Sequence, residues 1–201
     1  MSRIYSYVVV RDFGFAPNPF HGYCTLATCK PKIRKSAVPG DLVLGTGSVS
    51  QKRGGRLVYC MRVAETMTFE EYWADIRFRS RRPLLAGSQK QQYGDNIYDR
   101  PVGGEWIQAD SHHSRPGGLT NTENLLSDTS VNRVLVSTSF IYWGGSGPSI
   151  PEEFRDCDGS DIVHKGVGHR CNFSSKLVDE FCRWIEPQLV EGRIGRPRNW
   201  K

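Results

Sequence analysis

Thiols and histidines are the residue types in this 201-residue chain that suit covalent chemistry. Cys24 and Cys29 lie five positions apart in a proline-stiffened loop, and Lys30 follows Cys29 directly. Because a cationic neighbourhood favours the thiolate, either cysteine is a candidate nucleophile that a histidine would activate. The alternative for each thiol is a buried side chain that packs as a small hydrophobe. The candidate activating histidines are His21, His112 and His113.

The six cysteines do not show the spacing of a disulfide framework or of a zinc site. None forms a C-x-x-C pair, and a chain without a secretory signal is expected to keep its cysteines as thiols. The set closest to a metal pattern is more widely spaced than zinc ligands usually are. That set is Cys157, His164, His169 and Cys171. We therefore predict no metal and no other cofactor.

A short basic segment follows the second thiol and suggests a polyanionic partner. The chain carries a formal net charge of +6. A basic chain favours partners such as nucleic acid, and a solvated basic surface is the alternative. The residues predicted to contact phosphate groups are Lys30, Lys32, Arg34 and Lys35.

Residues suited to recognising a base are also present. A base flipped out of a duplex needs an aromatic face on which to stack and polar groups for its edge. Core packing is the alternative for each aromatic residue. The candidate faces are Tyr72, Trp73, Tyr98, Trp106, Phe140, Tyr142 and Trp143. The candidate edge contacts are Asp12, Asn18, Thr46, Ser48, Asp95 and Asn96.

Trp143 is the preferred stacking residue, because it lies where a strand enters a glycine-rich loop. We expect the ligand between this strand end and the Thr46–Ser48 end of another strand. Both ends contain glycine, which lets a backbone approach a ligand closely. Trp106 or Tyr98, from a long polar loop, is expected to close over the ligand.

The elements that position these residues are mostly strands. Runs of β-branched and aromatic residues predict strands at 4–10, 41–45, 56–65 and 133–143. The first is expected to be central, and the second and third to pair antiparallel. Short helices are predicted at 30–37, after the capping box that begins at Thr68, and from Ser174 or Ser175 onward. Residues 84–132 read mostly as loop.

This pattern predicts one α+β domain over residues 1–201, built around a strongly bent sheet or small barrel. No apolar run approaches the length of a membrane span. The amino-terminal residues lack the features of a signal peptide, so the expected compartment is the cytoplasm.

Several segments resemble the nucleotide-modification-associated domain family of the second type. These segments are GFAPNPFHGYCTLATCKPKIR, GDLVLGTGS, TFEEYWAD, YGDNIY and FIYWGG, and the resemblance covers nearly the whole chain. Residues 32–47 also resemble the PUA-like superfamily, which includes ASCH, EVE and YTH domains. The resemblance implies a PUA-like bent mixed sheet or small β-barrel with flanking helices. Because some ASCH-like proteins are hydrolases, it also suggests Lys32, Thr46 and Glu65 as catalytic residues.

Three functions follow from these residues. The first is recognition of a modified base or nucleotide in DNA, within a phage or bacterial modification or anti-modification system. The alternative is an enzyme, a hydrolase or transferase, that acts on such a base or nucleotide through Cys/His or Lys/Thr/Glu chemistry. The third is an interaction protein of a modification complex, with the basic tail at 192–201 exposed to a partner. The expected partners are DNA or a nucleotide carrying a modified base, together with proteins of the same system.

Overall fold

The computed structural model describes residues 2–200 and has a mixed α+β fold. The strands are β1 (Ile4–Val9), β2 (Cys24–Leu26), β3 (Leu42–Gly47), β4 (Leu57–Arg62), β5 (Glu65–Met67), β6 (Tyr98–Asp99), β7 (Ile107–Gln108), β8 (Val134–Ser137), β9 (Ser139–Tyr142) and β10 (Gly192–Arg193). The helices are α1 (Pro31–Ser36), α2 (Phe69–Ala74), α3 (Gln89–Gln92), α4 (Thr122–Thr129) and α5 (Ser175–Ile185). The predicted α+β class is confirmed.

The main sheet has five strands in the order β1-β3-β4-β9-β10. The two outer pairs are parallel and the inner pairs are antiparallel, which confirms the predicted pairing of β3 with β4. Alternate residues of the strands face opposite sides, as the pleat requires. Ile4 and Leu42 pack with α5 on one side, whereas Tyr5 and Val43 pack with α1 and β2 on the other. Both faces of this sheet are therefore covered.

A second sheet, in the order β2-β8-β5, lies beyond that inner layer. Leu135 of β8 points toward the main sheet, and its neighbours Val134 and Val136 point toward α2 and β6. The chain passes between these two sheets four times, from β1 to β2, from β2 to β3, from β4 to β5 and from β8 to β9. Within residues 2–200 no sheet closes into a barrel, so the barrel alternative is wrong for this part of the chain.

The predicted single strand at 133–143 is two strands that belong to different sheets. The side chain of Ser137 turns the backbone between them, since its Oγ accepts from the Ser139 amide at 3.1 Å and donates to the Ser139 carbonyl at 2.9 Å. Thr138 lies at the break and is exposed. This continuous run of strand-forming residues therefore bends at Ser137, where hydrogen bonds from the side chain compete with the backbone hydrogen bonds between strands.

Four other predictions can be compared with the structure. Residues 84–132 contain α3, β6, β7 and α4, and the side chain of Asn121 caps α4 by accepting from the Asn124 amide. The capping box at Thr68 and the amphipathic helix α5 are confirmed. β1 is buried as predicted, but it lies at the edge of the main sheet.

The carboxyl-terminal tail packs against the loop that follows β1, which corrects the prediction of an exposed tail. Asp12 and Asn199 exchange hydrogen bonds, from the Asp12 amide to Asn199 Oδ1 at 2.7 Å and from the Asn199 amide to the Asp12 carbonyl at 2.9 Å. Trp200 stacks on Phe20 with ring centroids 5.3 Å apart. Among the described residues, no helix combines the length and apolar character that crossing a bilayer requires.

Candidate active site

A cysteine, a histidine and an aspartate from distant parts of the chain meet beside α1. Cys29 Sγ lies 3.7 Å from His113 Nε2, and His113 Nδ1 lies 2.8 Å from Asp128 Oδ2. Cys29 comes from the loop between β2 and α1, His113 from the loop after β7, and Asp128 from α4. The imidazole thus has the thiol on one nitrogen and the carboxylate on the other. This is the arrangement of nucleophile, base and orienting group that is recognised in catalytic triads by geometry.

The backbone holds Cys29 in an unusual conformation. Its φ is 57°, and the φ of the following Lys30 is 40°, so two consecutive residues with side chains occupy the left-handed region. Each such residue costs of order 1–3 kcal/mol and persists only where its surroundings enforce it. Here the Cys29 amide donates to Asp128 Oδ1 at 2.7 Å, which ties the strained turn to the carboxylate. Strain of this kind concentrates at functional sites.

Asp128 is the centre of the hydrogen-bond network. Its carboxylate accepts from the Cys29 amide and from the Tyr98 hydroxyl, the latter at 2.9 Å, in addition to its contact with His113. Only 2% of its surface is exposed, so these contacts replace water. With Asp128 held on the Nδ1 side, Nε2 of His113 is the nitrogen that faces the thiol.

Arg34 braces the same site from inside the protein. Its Nε donates to the Cys29 carbonyl at 2.9 Å and its Nη2 to the Asp128 carbonyl at 2.6 Å. Its Nη1 donates to the carbonyls of Val131 and Arg133. The side chain is fully buried. The guanidinium therefore joins the cysteine loop to α4 and to the segment before β8. Because it is not exposed to solvent, it cannot make the phosphate contact that was predicted from the sequence.

The surroundings of His113 favour its charged form. Burial by itself lowers its pKa, but the hydrogen bonds to Asp128 and Cys29 outweigh burial and raise the pKa from 6.5 to about 9. A protonated imidazole at neutral pH is the partner that stabilises a thiolate. Its neighbour His112 differs, because burial among aromatic rings and the charge of His113 lower its pKa.

The raised pKa of His113 predicts that the free energy of unfolding depends on pH. A group whose pKa is higher in the folded state stabilises the fold fully below its unfolded pKa, and this contribution is lost as pH rises through the folded value. Between pH 6.5 and about 9 we expect the protein to lose up to about 3 kcal/mol. Urea unfolding at a series of pH values measures the loss. The His113→Gln variant should show a flatter profile, whereas the control His112→Gln should keep the slope. Equal slopes in wild type and His113→Gln would contradict the assignment.

The same three residues form the one group of potential metal ligands found within residues 2–200. The thiol contacts one nitrogen of the imidazole and the carboxylate contacts the other, so the ring lies between the two groups as it does in a catalytic triad. The donor set therefore fits a nucleophile and its base better than a metal centre. The widely spaced set Cys157, His164, His169 and Cys171 forms no such group in the described part of the chain.

The whole chain, residues 1–201, matches the family model described as nucleotide modification associated domain 2. The chain belongs to this family. No curated protein and no solved structure shows a significant match to it. Membership confirms the resemblance to this family that the sequence motifs indicated. It also associates the chain with nucleotide modification systems.

In this nucleotide modification associated domain, the other candidate catalytic residues do not assemble. Cys24 is fully buried between the sheets, and burial raises the pKa of its thiol. His21 is exposed at a turn before β2. Lys32 is exposed on α1, Thr46 Oγ1 donates to the Tyr7 carbonyl, and Glu65 pairs with Arg77. No hydrogen bond or ion pair joins Lys32, Thr46 and Glu65 among the residues that the structure describes.

Most candidate stacking residues are buried in the domain. Phe140, Tyr142 and Trp143 are at most 6% exposed, and Tyr98 is fully buried with its hydroxyl on Asp128. Trp106 is half-buried against Phe69 and lies under the Arg100 guanidinium. Tyr98 and Trp106 share a cluster that does not include Trp143. The structure therefore does not form the lid over Trp143 that the sequence suggested.

The tail explains why the glycine turn after Trp143 is closed. A Cβ on Gly144 would lie 2.1 Å from the carbonyl oxygen of Arg196, and the Gly145 amide donates to that oxygen at 2.9 Å. Gly195 in turn approaches the Trp143 carbonyl. The glycines thus allow the backbone of the carboxyl-terminal segment to lie against this turn, in the place where the sequence predicted a ligand.

The candidate polar contacts mostly stabilise the fold. Asp12 accepts from the Tyr142 hydroxyl and from the tail, and Ser48 Oγ lies 2.8 Å from Ser50 Oγ. Asn96 donates to carbonyl oxygens of neighbouring residues. A buried network that connects the loop before β2 to α2 and α3 uses Asn18, Thr25, Tyr72, Arg81, Tyr93 and Asp95.

The basic segment divides into exposed and buried residues. Lys32 and Lys35 are exposed on α1 and remain available to phosphate groups. Lys30 is half-buried with its Nζ 4.7 Å from the centre of the Tyr7 ring, and burial lowers its pKa. Within residues 2–200 Lys30 has no ion-pair partner, so its charge lies uncompensated next to Cys29.

Asp128 is the functional residue that the sequence reasoning missed. It lies in a stretch interpreted as loop, and its role depends on the helix α4 that buries it. The available signal was an acidic residue between Leu125 and Thr129, seven residues after the Asn121 cap. An acidic residue in the interior of a short helix is usually solvated, so this signal alone carries little weight.

Proposed function

We propose that this protein is a cysteine-dependent enzyme that acts on a modified base or nucleotide. Cys29 is the nucleophile, His113 the general acid and base, and Asp128 the group that orients the imidazole. The observation that carries the proposal is the Cys29–His113–Asp128 geometry, with contacts of 3.7 and 2.8 Å. The substrate class follows from membership of the nucleotide modification associated domain 2 family.

The triad supports acyl transfer or hydrolysis. The Cys29 thiolate attacks the carbonyl carbon of an acyl group carried by the base or nucleotide, and a bond forms between sulfur and carbon. Nε2 of His113 gives its proton to the nitrogen or oxygen that leaves. Water, which loses a proton to His113, then cleaves the thioester and restores the thiolate. The uncompensated charge of Lys30 supports the negative charge that develops during attack.

Recognition without chemistry is supported less well by this structure. A reader needs an exposed aromatic face for the base, and the residues proposed for that role are buried except for Trp73 and Trp106. These two rings are half-buried and lie under the guanidinium groups of Arg82 and Arg100. A reader also has no need of a strained cysteine whose amide and thiol both contact a histidine–aspartate pair. A PUA-like placement of the fold, and a phage or bacterial modification system as its setting, remain compatible with either function.

Incubation with acylated DNA tests the proposed activity. The probe is an oligonucleotide that carries N4-acetylcytosine, and the unmodified oligonucleotide is the control. We expect nucleoside mass spectrometry to show loss of the acetyl group, and intact-protein mass spectrometry to show an acetyl adduct on Cys29. The matched thiol control is Cys171→Ala, which should remain active. Binding of the acetylated strand without loss of the group or adduct formation would reject the enzyme and favour a reader.

The exposed lysines of α1 are expected to contact the nucleic-acid backbone. Replacing Lys32 and Lys35 with alanine should lower the slope of log affinity against log salt by roughly 0.7–0.9 for each phosphate group that the variant no longer neutralises. Fluorescence anisotropy with a labelled single-stranded oligonucleotide at several salt concentrations measures this slope. The control is Lys176→Ala, which removes an exposed lysine of α5 that already pairs with Asp158. A slope unchanged in the double variant would remove α1 from the interface.

A further inference from the structure

The main sheet has an open edge at the end of β1. The Ser6 amide donates to the Arg170 carbonyl, and the Arg170 amide donates to the Ser6 carbonyl, each at 2.9 Å. Successive residues of a strand direct their backbone groups to opposite sides, so Val8 faces the same way as Ser6, away from β3. No residue in the described part of the chain continues the pairing beyond the Ser6 bridge. The N–H and C=O of Val8 are therefore free to pair.

A cleft of about 620 Å³ lies along this open edge. Its apolar wall is formed by valines from three segments, and two glycine-containing turns complete it. Val10, Val49 and Val167 are 52%, 82% and 102% exposed. Such a gathering of exposed aliphatic side chains around one concave surface marks an interaction site. None of the residues lining the cleft belongs to the Cys29 triad.

The charged residues that line the cleft, Arg155 and Lys165, are both basic. His164 also lines the cleft, and no acidic residue does. Asp161 holds two nitrogens of Arg155, Nε at 3.0 Å and Nη2 at 3.2 Å, and leaves Nη1 directed past Gly55 into the cleft. Lys165 is 3.9 Å from the same carboxylate and its side chain is 81% exposed. An acidic group on a ligand is thus matched by one guanidinium nitrogen of Arg155 and by the exposed ammonium of Lys165.

The lining favours a peptide over a nucleic acid. No Phe, Tyr or Trp side chain lines the cleft, so the His164 imidazole is the one ring there on which a base could stack. An extended peptide, by contrast, uses a free strand edge through backbone hydrogen bonds and places alternate side chains into apolar pockets. Exposed strand edges are where proteins add a strand from another chain.

We propose that the β1 edge at Val8–Val10 binds an extended segment of a partner protein. The segment pairs with the N–H and C=O of Val8, places an aliphatic side chain among the valines, and places an acidic side chain at Arg155 and Lys165. This surface is separate from Cys29, so the interaction goes beyond the proposed catalytic function and does not depend on it. Gly166 and Gly168 are both at positive φ, and a Cβ on Gly166 would meet no atom within 4 Å, so the loop over the cleft has room to adjust to the segment.

A designed peptide tests this proposal. The probe is a fluorescein-labelled eight-residue peptide that alternates valine and glutamate, and binding is followed by anisotropy. We expect saturable binding that a valine–lysine peptide of the same length does not show. N-methylation of the amides on one edge of the peptide should abolish binding, whereas N-methylation of the other edge should leave it intact. Equal binding of both methylated peptides would overturn strand pairing.

Variants of the protein locate the site. Val8→Pro removes one edge N–H and should weaken peptide binding by roughly 3- to 10-fold, the value of one hydrogen bond. Val49→Asp places a negative charge at the rim and should weaken binding further. Its control is Val190→Asp, because Val190 is 81% exposed but lies outside the cleft. Alkylation of Cys29 by iodoacetamide, unchanged in each variant, shows that the fold and the catalytic site persist.

The remaining outcomes decide between occupants. If an unlabelled single-stranded oligonucleotide displaces the peptide and Val49→Asp weakens the oligonucleotide equally, the cleft binds nucleic acid and the proposal is wrong. If sedimentation shows a dimer that Val8→Pro dissociates, the occupant is a second copy of this chain and the proposed partner is wrong. If Val49→Asp and Val190→Asp bind the peptide as wild type does, the peptide binds elsewhere and the assignment fails.

Discussion

Replacing Cys29 with serine is expected to lower turnover of an acylated nucleotide by roughly 10³- to 10⁴-fold. Serine has nearly the same size, so the contacts of the loop with Asp128 and Arg34 should remain. The serine hydroxyl, however, is a far weaker nucleophile than a thiolate, because it stays neutral at neutral pH unless a base removes its proton. The free energy of unfolding should change by about 1 kcal/mol or less, because Cys29 is only partly buried. Rates of acetyl release and urea unfolding measure the two effects.

The matched control for this variant is Cys24→Ser. Cys24 is fully buried, so its hydroxyl analogue should destabilise the fold by roughly 1–3 kcal/mol while the folded protein keeps its turnover. Alkylation provides a readout that needs no substrate. Iodoacetamide should modify Cys29 first, and His113→Ala should slow that reaction near neutral pH. Full turnover by Cys29→Ser, or alkylation spread evenly over the exposed thiols, would remove Cys29 from the mechanism.

Replacing Arg34 with alanine is expected to cost roughly 3–5 kcal/mol of stability and to disorganise the catalytic site. The guanidinium donates to four backbone carbonyls, those of Cys29, Asp128, Val131 and Arg133, and it is fully buried. Its loss removes a donor from each of these carbonyls, of which Val131 keeps a bond from the Arg133 amide, and opens a cavity behind the cysteine loop. Urea unfolding measures the loss of stability.

The control for Arg34 is its neighbour on α1. Lys35 is exposed, so Lys35→Ala should stay within about 0.5 kcal/mol of wild type. Arg34→Lys keeps the charge but cannot reach several carbonyls at once, and we expect it to recover only part of the stability that alanine removes. Under conditions where Arg34→Lys remains folded, Cys29 alkylation should be slower than in wild type. Wild-type stability and alkylation in Arg34→Ala would show that Arg34 does not position the site.

Local patterns were sufficient for the elements whose signal lies within a few residues. The strand-forming run of β4, the capping box at Thr68 and the helical spacing of Leu177, Phe181 and Ile185 are each contained in one segment. The quoted motifs were also sufficient for the family. Periodicity carries this information because a strand or helix buries one face whatever it packs against.

The choice among the chemical candidates required the tertiary structure. The sequence offered two thiols and three histidines on equal terms, and Cys29 meets His113 only because residues 84 positions apart fold together. Asp128 is 99 positions from Cys29 and contacts it because α4 is packed against the cysteine loop. Arg34 was predicted to contact phosphate groups, but its side chain turns inward and donates to backbone carbonyls. Local spacing reports which face of an element is apolar. It does not report which polar groups from separate elements satisfy one another in the interior, and that pairing forms the candidate active site.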